Sequence, residues 1–177
     1  MNYETRPPRR GLMPPMSADF ESSIARVEYS VLTSADCKLA WKIFSDTSLW
    51  SRFSDLYGAI RWQGPAWTPG SRLRIDIGEP INATVDRVIT ICMSPHNVAW
   101  INHVRGYTME QWVSLDPTAG GGTRISTWIE VTGAGVSRDR ELDLQELKSV
   151  VCTWFDNFSL ECDRAAPDPH DIRSAAD

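Results

Sequence analysis

The sequence predicts an α+β domain in which a curved antiparallel sheet wraps around one long C-terminal helix, with two short helices after the first strand. Alternating apolar and polar residues recur between positions 24 and 131, with turn residues about every ten positions, which is typical of an antiparallel meander. After Gly133 the hydrophobic period becomes that of a helix. A sheet and a single long helix must bury their apolar faces on each other, so they are expected to share one core.

The first strand is predicted at residues 24–32, and the two short helices follow it. Thr33 and Asp36 have the spacing of a capping box, which predicts that the first helix begins at Thr33. Asp46 is suited to cap the second helix, because its side chain can accept hydrogen bonds from the first free amides.

Six further strands are predicted, and a glycine-rich hairpin joins the last two of them. The strand at 81–93 is long enough to contain a bulge, which we expect near Asp86 and Arg87. The glycines at 120–122 lie between two alternating segments and therefore indicate a hairpin rather than a phosphate-binding loop. The predicted strands are 57–63, 71–77, 81–93, 98–104, 107–115 and 123–131.

The long helix is predicted at residues 137–164, capped by Ser137. Acidic residues in its first turns suit the positive end of the helix dipole. Apolar residues then recur at steps of three and four, which forms one continuous stripe. The stripe consists of Leu144, Leu147, Val151, Trp154 and Phe158, flanked by Val150, Phe155 and Cys162.

The folded domain is expected to span residues 23–164. Residues 1–22 are rich in proline and arginine and are interpreted as a flexible arm, and residues 165–177 as a disordered tail. The net charge of −5 argues against nucleic acid or an anionic membrane as partner. No apolar run approaches the roughly 18 residues of a membrane span, and the N-terminus has no secretory apolar segment.

The cysteine spacing favours reduced thiols and a cytoplasmic protein. No C-x-x-C pair occurs, and no two histidines lie close enough in sequence to suggest a metal site. No cofactor-binding motif is present, so no cofactor is expected. The four cysteines are Cys37, Cys92, Cys152 and Cys162.

Three segments resemble one known superfamily. They are A-W-K-I-F-S-D-T-S-L-W (40–50), P-H-N-V-A-W (95–100) and G-Y-T-M-E-Q-W-V-S-L-D-P-T-A-G-G-G-T-R-I (106–125). Together with the element order they resemble the START/Bet v 1-like (SRPBCC) superfamily, and within it the polyketide cyclase/dehydrase and lipid-transport group, over residues 23–164. The resemblance implies a helix-grip fold with an internal cavity between sheet and helix. It does not choose a reaction, because the superfamily includes cyclases, dehydratases, carriers and receptors.

Strand parity predicts which side chains face that cavity. The inward set is aromatic and aliphatic with few polar groups, which suits an organic ligand with one or two oxygens to orient. The alternative is that the aromatic residues are ordinary core. A buried amide without a partner costs about 1–3 kcal/mol, so inward amides need a partner, a water or a ligand. The predicted ligand-binding residues are Trp100, Asn102, Tyr107, Met109, Gln111, Thr127, Leu147, Val151, Trp154 and Phe158.

Three functions are compatible with this pattern. The first is binding of a hydrophobic small molecule of lipid, polyketide or aromatic type. The second is a cofactor-free cyclase or dehydratase, with Tyr107 or His103 handling a proton; His103 has outward parity and would need a bulge to face inward. The third is a protein-interaction module, for example a homodimer. Its contact surface would be formed by Trp112 and Trp128, which have outward parity on neighbouring strands.

Overall fold

The structure is a computed structural model that describes residues 24–79, 82–104, 106–133 and 144–167. The predicted arm at 1–22, the predicted helix start at 137–143 and the tail from 168 onward lie outside the described residues. Along the chain the elements are β1 (Ile24–Thr33), α1 (Cys37–Ser45), a 3-10 helix (Thr47–Arg52), β2 (Tyr57–Gln63), β3 (Arg72–Ile77), β4 (Ala83–Met93), β5 (Asn97–Val104), β6 (Tyr107–Pro117), β7 (Thr123–Thr132) and α2 (Leu144–Ala165).

The seven strands form one antiparallel sheet that packs against α2. Its strand order is β1-β7-β6-β5-β4-β3-β2, so β1 and β2 are the edge strands and the rest is a meander. This confirms the predicted helix-grip architecture. In α2 the buried positions run from Val151 to Cys162, whereas Leu144, the first residue of the predicted stripe, is 37% exposed.

The predicted start of the first helix is wrong. Asp36, not Thr33, is the N-cap of α1, and its carboxylate accepts a hydrogen bond from the Leu39 amide at 2.8 Å. Thr33 is still in β1, paired with Thr123 across the sheet. Its hydroxyl donates to Asp163 of α2 at 2.7 Å and is therefore used for a tertiary contact. The prediction for Asp46 is confirmed, since it accepts from the Ser48 amide at 3.1 Å.

The bulge in β4 lies elsewhere than predicted. Ile89 pairs with Trp100 and Ile91 with Ala99, so the extra residue is Thr90 rather than Asp86 or Arg87. Residues 83–88 pair with β3 in unbroken register. The alternation of inward and outward side chains is therefore regular through Arg87.

The 120–122 glycines form the β6–β7 hairpin, as predicted. Gly121 has a φ of +87°, a conformation that residues with a side chain rarely adopt. Gly122 lies so close to β1 that a Cβ there would collide with the Thr33 carbonyl oxygen. The hairpin needs glycine for both reasons.

Phe44 of α1 lies at the centre of an aromatic cluster that joins the helices to the sheet. Its side chain is fully buried. The neighbouring rings come from α1, the 3-10 helix, the β2–β3 turn, β5 and α2, at centroid distances of 5.3 to 6.4 Å from Phe44. They belong to Trp41, Trp50, Trp67, Trp100, Trp154 and Phe158.

Polar contacts fix α2 to the edge strand β1. The Tyr29 hydroxyl donates to Asp156 at 2.6 Å, which raises the pKa of Tyr29 to about 12. Asp163 accepts from the Thr33 hydroxyl at 2.7 Å and from the amide and hydroxyl of Ser34 at 2.7 and 2.8 Å. Partial burial acts to raise the pKa of Asp163, but these three hydrogen bonds outweigh it and hold the pKa below its ordinary value.

We expect Phe44→Ala to lower the free energy of unfolding by about 3–5 kcal/mol, because it opens a cavity where several elements meet. Leu160→Ala is the control, since Leu160 is 50% exposed on α2 and its truncation should cost about 0.5 kcal/mol or less. Urea unfolding measures both. A loss below about 1 kcal/mol for Phe44→Ala would show that the cluster does not hold the domain together.

Asp163→Asn should lower the free energy of unfolding by about 1 kcal/mol at pH 7, a modest figure because the carboxylate is exposed. A depressed folded-state pKa stabilises the fold above the unfolded-state pKa of about 4, and that contribution is lost as the pH falls through the folded-state value. The difference in free energy of unfolding between wild type and Asp163→Asn should therefore become smaller below about pH 4. Asp55→Asn, at an exposed position, is the control. A gap that is the same at pH 7 and pH 3 would contradict the assignment.

Candidate functional site

A cavity of about 220 Å³ lies between the sheet and the first half of α2. Its fully buried wall includes Trp100, Gln111 and Trp154, and its half-buried side is formed by residues of β2, β3 and β4 and by the start of α2. The second half of α2 packs directly on β1 and α1, so side chains fill the space between α2 and the sheet at that end. The lining residues are Trp50, Leu56, Tyr57, Ile77, Val85, Arg87, Trp100, Asn102, Met109, Gln111, Ile129, Leu147, Val150, Val151, Trp154 and Phe155.

The cavity brings together seven of the ten predicted ligand-binding residues: Trp100, Asn102, Met109, Gln111, Leu147, Val151 and Trp154. The other three, Tyr107, Thr127 and Phe158, are buried but do not line it. Phe158 belongs to the aromatic cluster around Phe44. The Thr127 hydroxyl supports the wall from behind, accepting from the Gln111 amide at 3.0 Å and donating to the Trp112 carbonyl at 2.7 Å.

Neither predicted proton-transfer residue lies in the cavity wall. His103 is exposed, and its Nδ1 lies 3.0 Å from the hydroxyl of Thr108, which pairs with it on the next strand. The regular β5–β6 register gives His103 the opposite parity to Trp100 and Asn102. Tyr107 is buried against Gly133 at the end of β6.

Arg87 lines the cavity, although the sequence pattern did not indicate it as a site residue. It follows Val85 and precedes Ile89 on the same face of β4, and it pairs with buried Leu73 of β3. Its guanidinium carbon lies 5.0 Å from the Trp100 ring centroid and 5.6 Å from that of Trp50. The sequence does contain a signal for its inward position, because Arg87 has the same strand parity as the apolar residues Val85 and Ile89. The bulge predicted near Asp86 and Arg87 made that parity ambiguous.

Asp86 points to the other face of the sheet. Its carboxylate makes two hydrogen bonds with Arg74 of β3, at 2.8 and 2.9 Å. The contact with Arg74 holds the pKa of Asp86 below its ordinary value. Asp86 therefore forms an ion pair with Arg74 on the outer face of the sheet and does not line the cavity.

Several polar groups of the wall have no protein partner within the described part of the chain. The indole N–H groups of Trp100 and Trp154 are buried and make no hydrogen bond. Trp50, by contrast, donates its indole N–H to the Phe44 carbonyl at 2.8 Å. Asn102 is 8% exposed, and its amide makes no hydrogen bond to any other described residue. Buried donors without partners are rare because each costs about 1–3 kcal/mol.

Trp112 and Trp128 are neighbours on the outer face, as predicted. They are directly paired across β6 and β7, and their rings stack with centroids 5.7 Å apart. The Trp112 indole donates to Glu110 at 3.0 Å, and the Arg26 guanidinium lies 4.7 Å from the Trp128 ring centroid. Both rings are partly covered by charged side chains of the same chain.

Comparison with solved structures gives the fold. Ara h 8.0201 is similar with a TM-score of 0.66 at 12% identity, covering 79% of this chain and 98% of that one. The hypothetical protein jhp0584 from Helicobacter pylori gives 0.65 at 13% identity, covering 91% and 99%, and the protein of unknown function SA2116 from Staphylococcus aureus gives 0.63 at 12%, covering 82% and 97%. The chain therefore has a Bet v 1-like helix-grip fold. No family model matches the sequence, and neither does any curated protein.

Among the described residues, no cluster of three or more His, Cys, Asp or Glu side chains could hold a metal ion. None of the described helices is both long and apolar enough to cross a bilayer. The four cysteines are free thiols, and burial raises the pKa of Cys162 to about 12, which keeps that thiol protonated.

Asn102→Leu should raise the free energy of unfolding of the ligand-free protein by about 1 kcal/mol, because it replaces an unpartnered buried amide with an apolar group of similar size. Gln111→Leu is the contrasting variant on the facing strand. It breaks the bond to Thr127 and should lower the free energy of unfolding by about 1 kcal/mol. Urea unfolding measures both changes, and destabilisation by Asn102→Leu would mean that the amide is already satisfied in the fold.

Proposed function

We propose that this protein binds a hydrophobic small molecule in the cavity between the sheet and α2. The observation that carries the proposal is a largely apolar cavity whose lining residues include Trp100 and Trp154, each with a buried indole N–H that has no partner in the described chain, and the amide residue Asn102. Binding sites typically combine an apolar wall with a few polar groups that orient the ligand. The native fold retains these groups at a cost that a ligand with matching oxygens would offset.

The cavity volume supports a small ligand. A cavity of about 150 Å³ accommodates benzene, so 220 Å³ corresponds to roughly ten non-hydrogen atoms. Sites for drug-sized ligands start at about 300 Å³. A single substituted ring or a short acyl chain therefore fits this cavity better than a polyketide chain or a two-chain lipid.

Binding ranks above catalysis among the alternatives. The lining residues in the described chain include no histidine and no carboxylate, and Tyr107 and His103 lie elsewhere. A cyclase or dehydratase of the polyketide cyclase group would need other residues for proton transfer, and Tyr57, whose hydroxyl accepts from Arg87 at 3.1 Å, is the available hydroxyl in the wall. Lipid transport and a cytoplasmic location stay predictions.

An interaction surface at Trp112 and Trp128 also stays a prediction. The hydrogen bond from Trp112 and the cation over Trp128 support a role within the chain. A homodimer through these rings predicts that Trp112→Ala combined with Trp128→Ala elutes later from a size-exclusion column than the wild type.

Val151→Phe should weaken binding of octan-1-ol at least tenfold, because Val151 is 7% exposed and projects from α2 into the cavity, where the larger ring occupies ligand volume. Quenching of tryptophan fluorescence measures the affinity. Leu160→Phe is the matched control on the exposed face of α2 and should leave it unchanged. The proposal fails if freshly purified wild type carries no ligand by native mass spectrometry and binds neither octan-1-ol nor octanoate.

A further inference from the structure

Arg87 is a cation in the cavity wall, and the described residues give it no anionic partner. No described Asp or Glu forms an ion pair with it, whereas Arg74 on the neighbouring strand is paired with Asp86. Its contacts are three aromatic rings, of Trp50, Tyr57 and Trp100, and the Tyr57 hydroxyl. A charge in apolar surroundings is costly unless an opposite charge or several hydrogen bonds compensate it, and cation–π contacts do so only in part.

The unsatisfied groups near Arg87 are mostly donors. A guanidinium carries five N–H donors and no acceptor, and the described contacts use one of them, toward Tyr57. The Tyr57 oxygen accepts that bond, so its own proton remains available to donate. The Trp100 ring that contacts Arg87 also has a buried indole N–H without a partner. These groups match a ligand head that is rich in acceptors and negatively charged.

We propose that the ligand is a small carboxylic acid, bound as its carboxylate with the head group at Arg87. This rests on the proposed function and specifies its ligand class. The planar fork of a guanidinium matches the two oxygens of a carboxylate, and one cation balances one negative charge. A phosphate monoester brings up to two negative charges and would face a wall with a single described cation. The hydrocarbon part would lie against the apolar side chains Ile77, Val85, Met109, Ile129, Leu147 and Val151.

The experiment compares octanoate with octan-1-ol, two probes with the same eight-carbon chain. Calorimetric and fluorescence titrations at pH 7.5 use the wild type and the variants Arg87→Met, Arg87→Lys and Arg72→Met. Arg72 lies on the exposed outer face of β3, so Arg72→Met removes the same charge without altering the cavity. Near-UV circular dichroism establishes that each variant is folded.

Wild type should bind octanoate at least tenfold more tightly than octan-1-ol. Arg87→Met should weaken octanoate 10- to 100-fold and leave octan-1-ol unchanged or tighter, because a hydrogen bond to a charged group is lost while the apolar wall stays. Arg87→Lys should retain part of the preference, and Arg72→Met all of it.

The outcomes separate the two proposals. Equal affinity for both probes in the wild type, or equal loss of the preference in Arg72→Met and Arg87→Met, overturns the carboxylate inference and leaves hydrophobic binding intact. If neither octanoate nor octan-1-ol binds, the proposed function itself is overturned. If Arg87→Met does not fold, Arg87→Lys and Tyr57→Phe replace it. If both of these variants bind octanoate with the wild-type affinity, the carboxylate does not lie at Arg87.

Discussion

The packing of aromatic rings around Phe44 is the constraint on which the rest of the structure depends. It joins α1, the 3-10 helix, β5 and α2 at one point of the hydrophobic core. Phe44 and Phe158 are fully buried and pack against each other beside the second half of α2. The space that remains lies beside the first half of α2, and Trp100 and Trp154 form the boundary between the filled and the open end.

The position of these two tryptophans has a chemical consequence. Their rings belong to the cluster, yet the same packing leaves their N–H groups without acceptors in the described chain. Trp50 and Trp67 in the same cluster donate to the Phe44 and Ser45 carbonyls at 2.8 Å, so unpaired indoles are not a general property of this core. Stability is therefore lowered at the cavity boundary, whereas the indoles of Trp50 and Trp67 are satisfied. That pattern is expected where a fold trades stability for a binding site.

Much of the fold could be predicted from sequence because its signals are local. Strand alternation, turn residues and the helical stripe gave the element order, and regular pairing of β5 with β6 made parity reliable for Trp100, Asn102, Met109 and Gln111. Local signals failed where tertiary contacts decide. Thr33 has the composition of a helix cap, but its hydroxyl bonds to Asp163 and its backbone continues the sheet.

The candidate site was less predictable for two physical reasons. Parity assigns a side chain to a face but not to a position along its strand or helix, so it did not show that Tyr107, Thr127 and Phe158 lie outside the cavity wall. The wall also draws on β2, β3 and β4, where the sheet curves toward α2 and Arg87 shares a face with Val85. A charged residue in an inward position contradicts the hydrophobic pattern, and such contradictions mark functional sites.

The most direct test of this account is the ¹H–¹⁵N spectrum of the tryptophan indoles during titration with octanoate. The Trp100 and Trp154 N–H resonances are expected to move downfield and to saturate together, because a carboxylate supplies hydrogen-bond acceptors that the described chain does not. The Trp112 and Trp128 resonances, on the outer face of the sheet, should not move. Shifts at Trp112 and Trp128 with none at Trp100 and Trp154 would contradict the central claim, that the unpartnered groups of this cavity exist to bind a ligand.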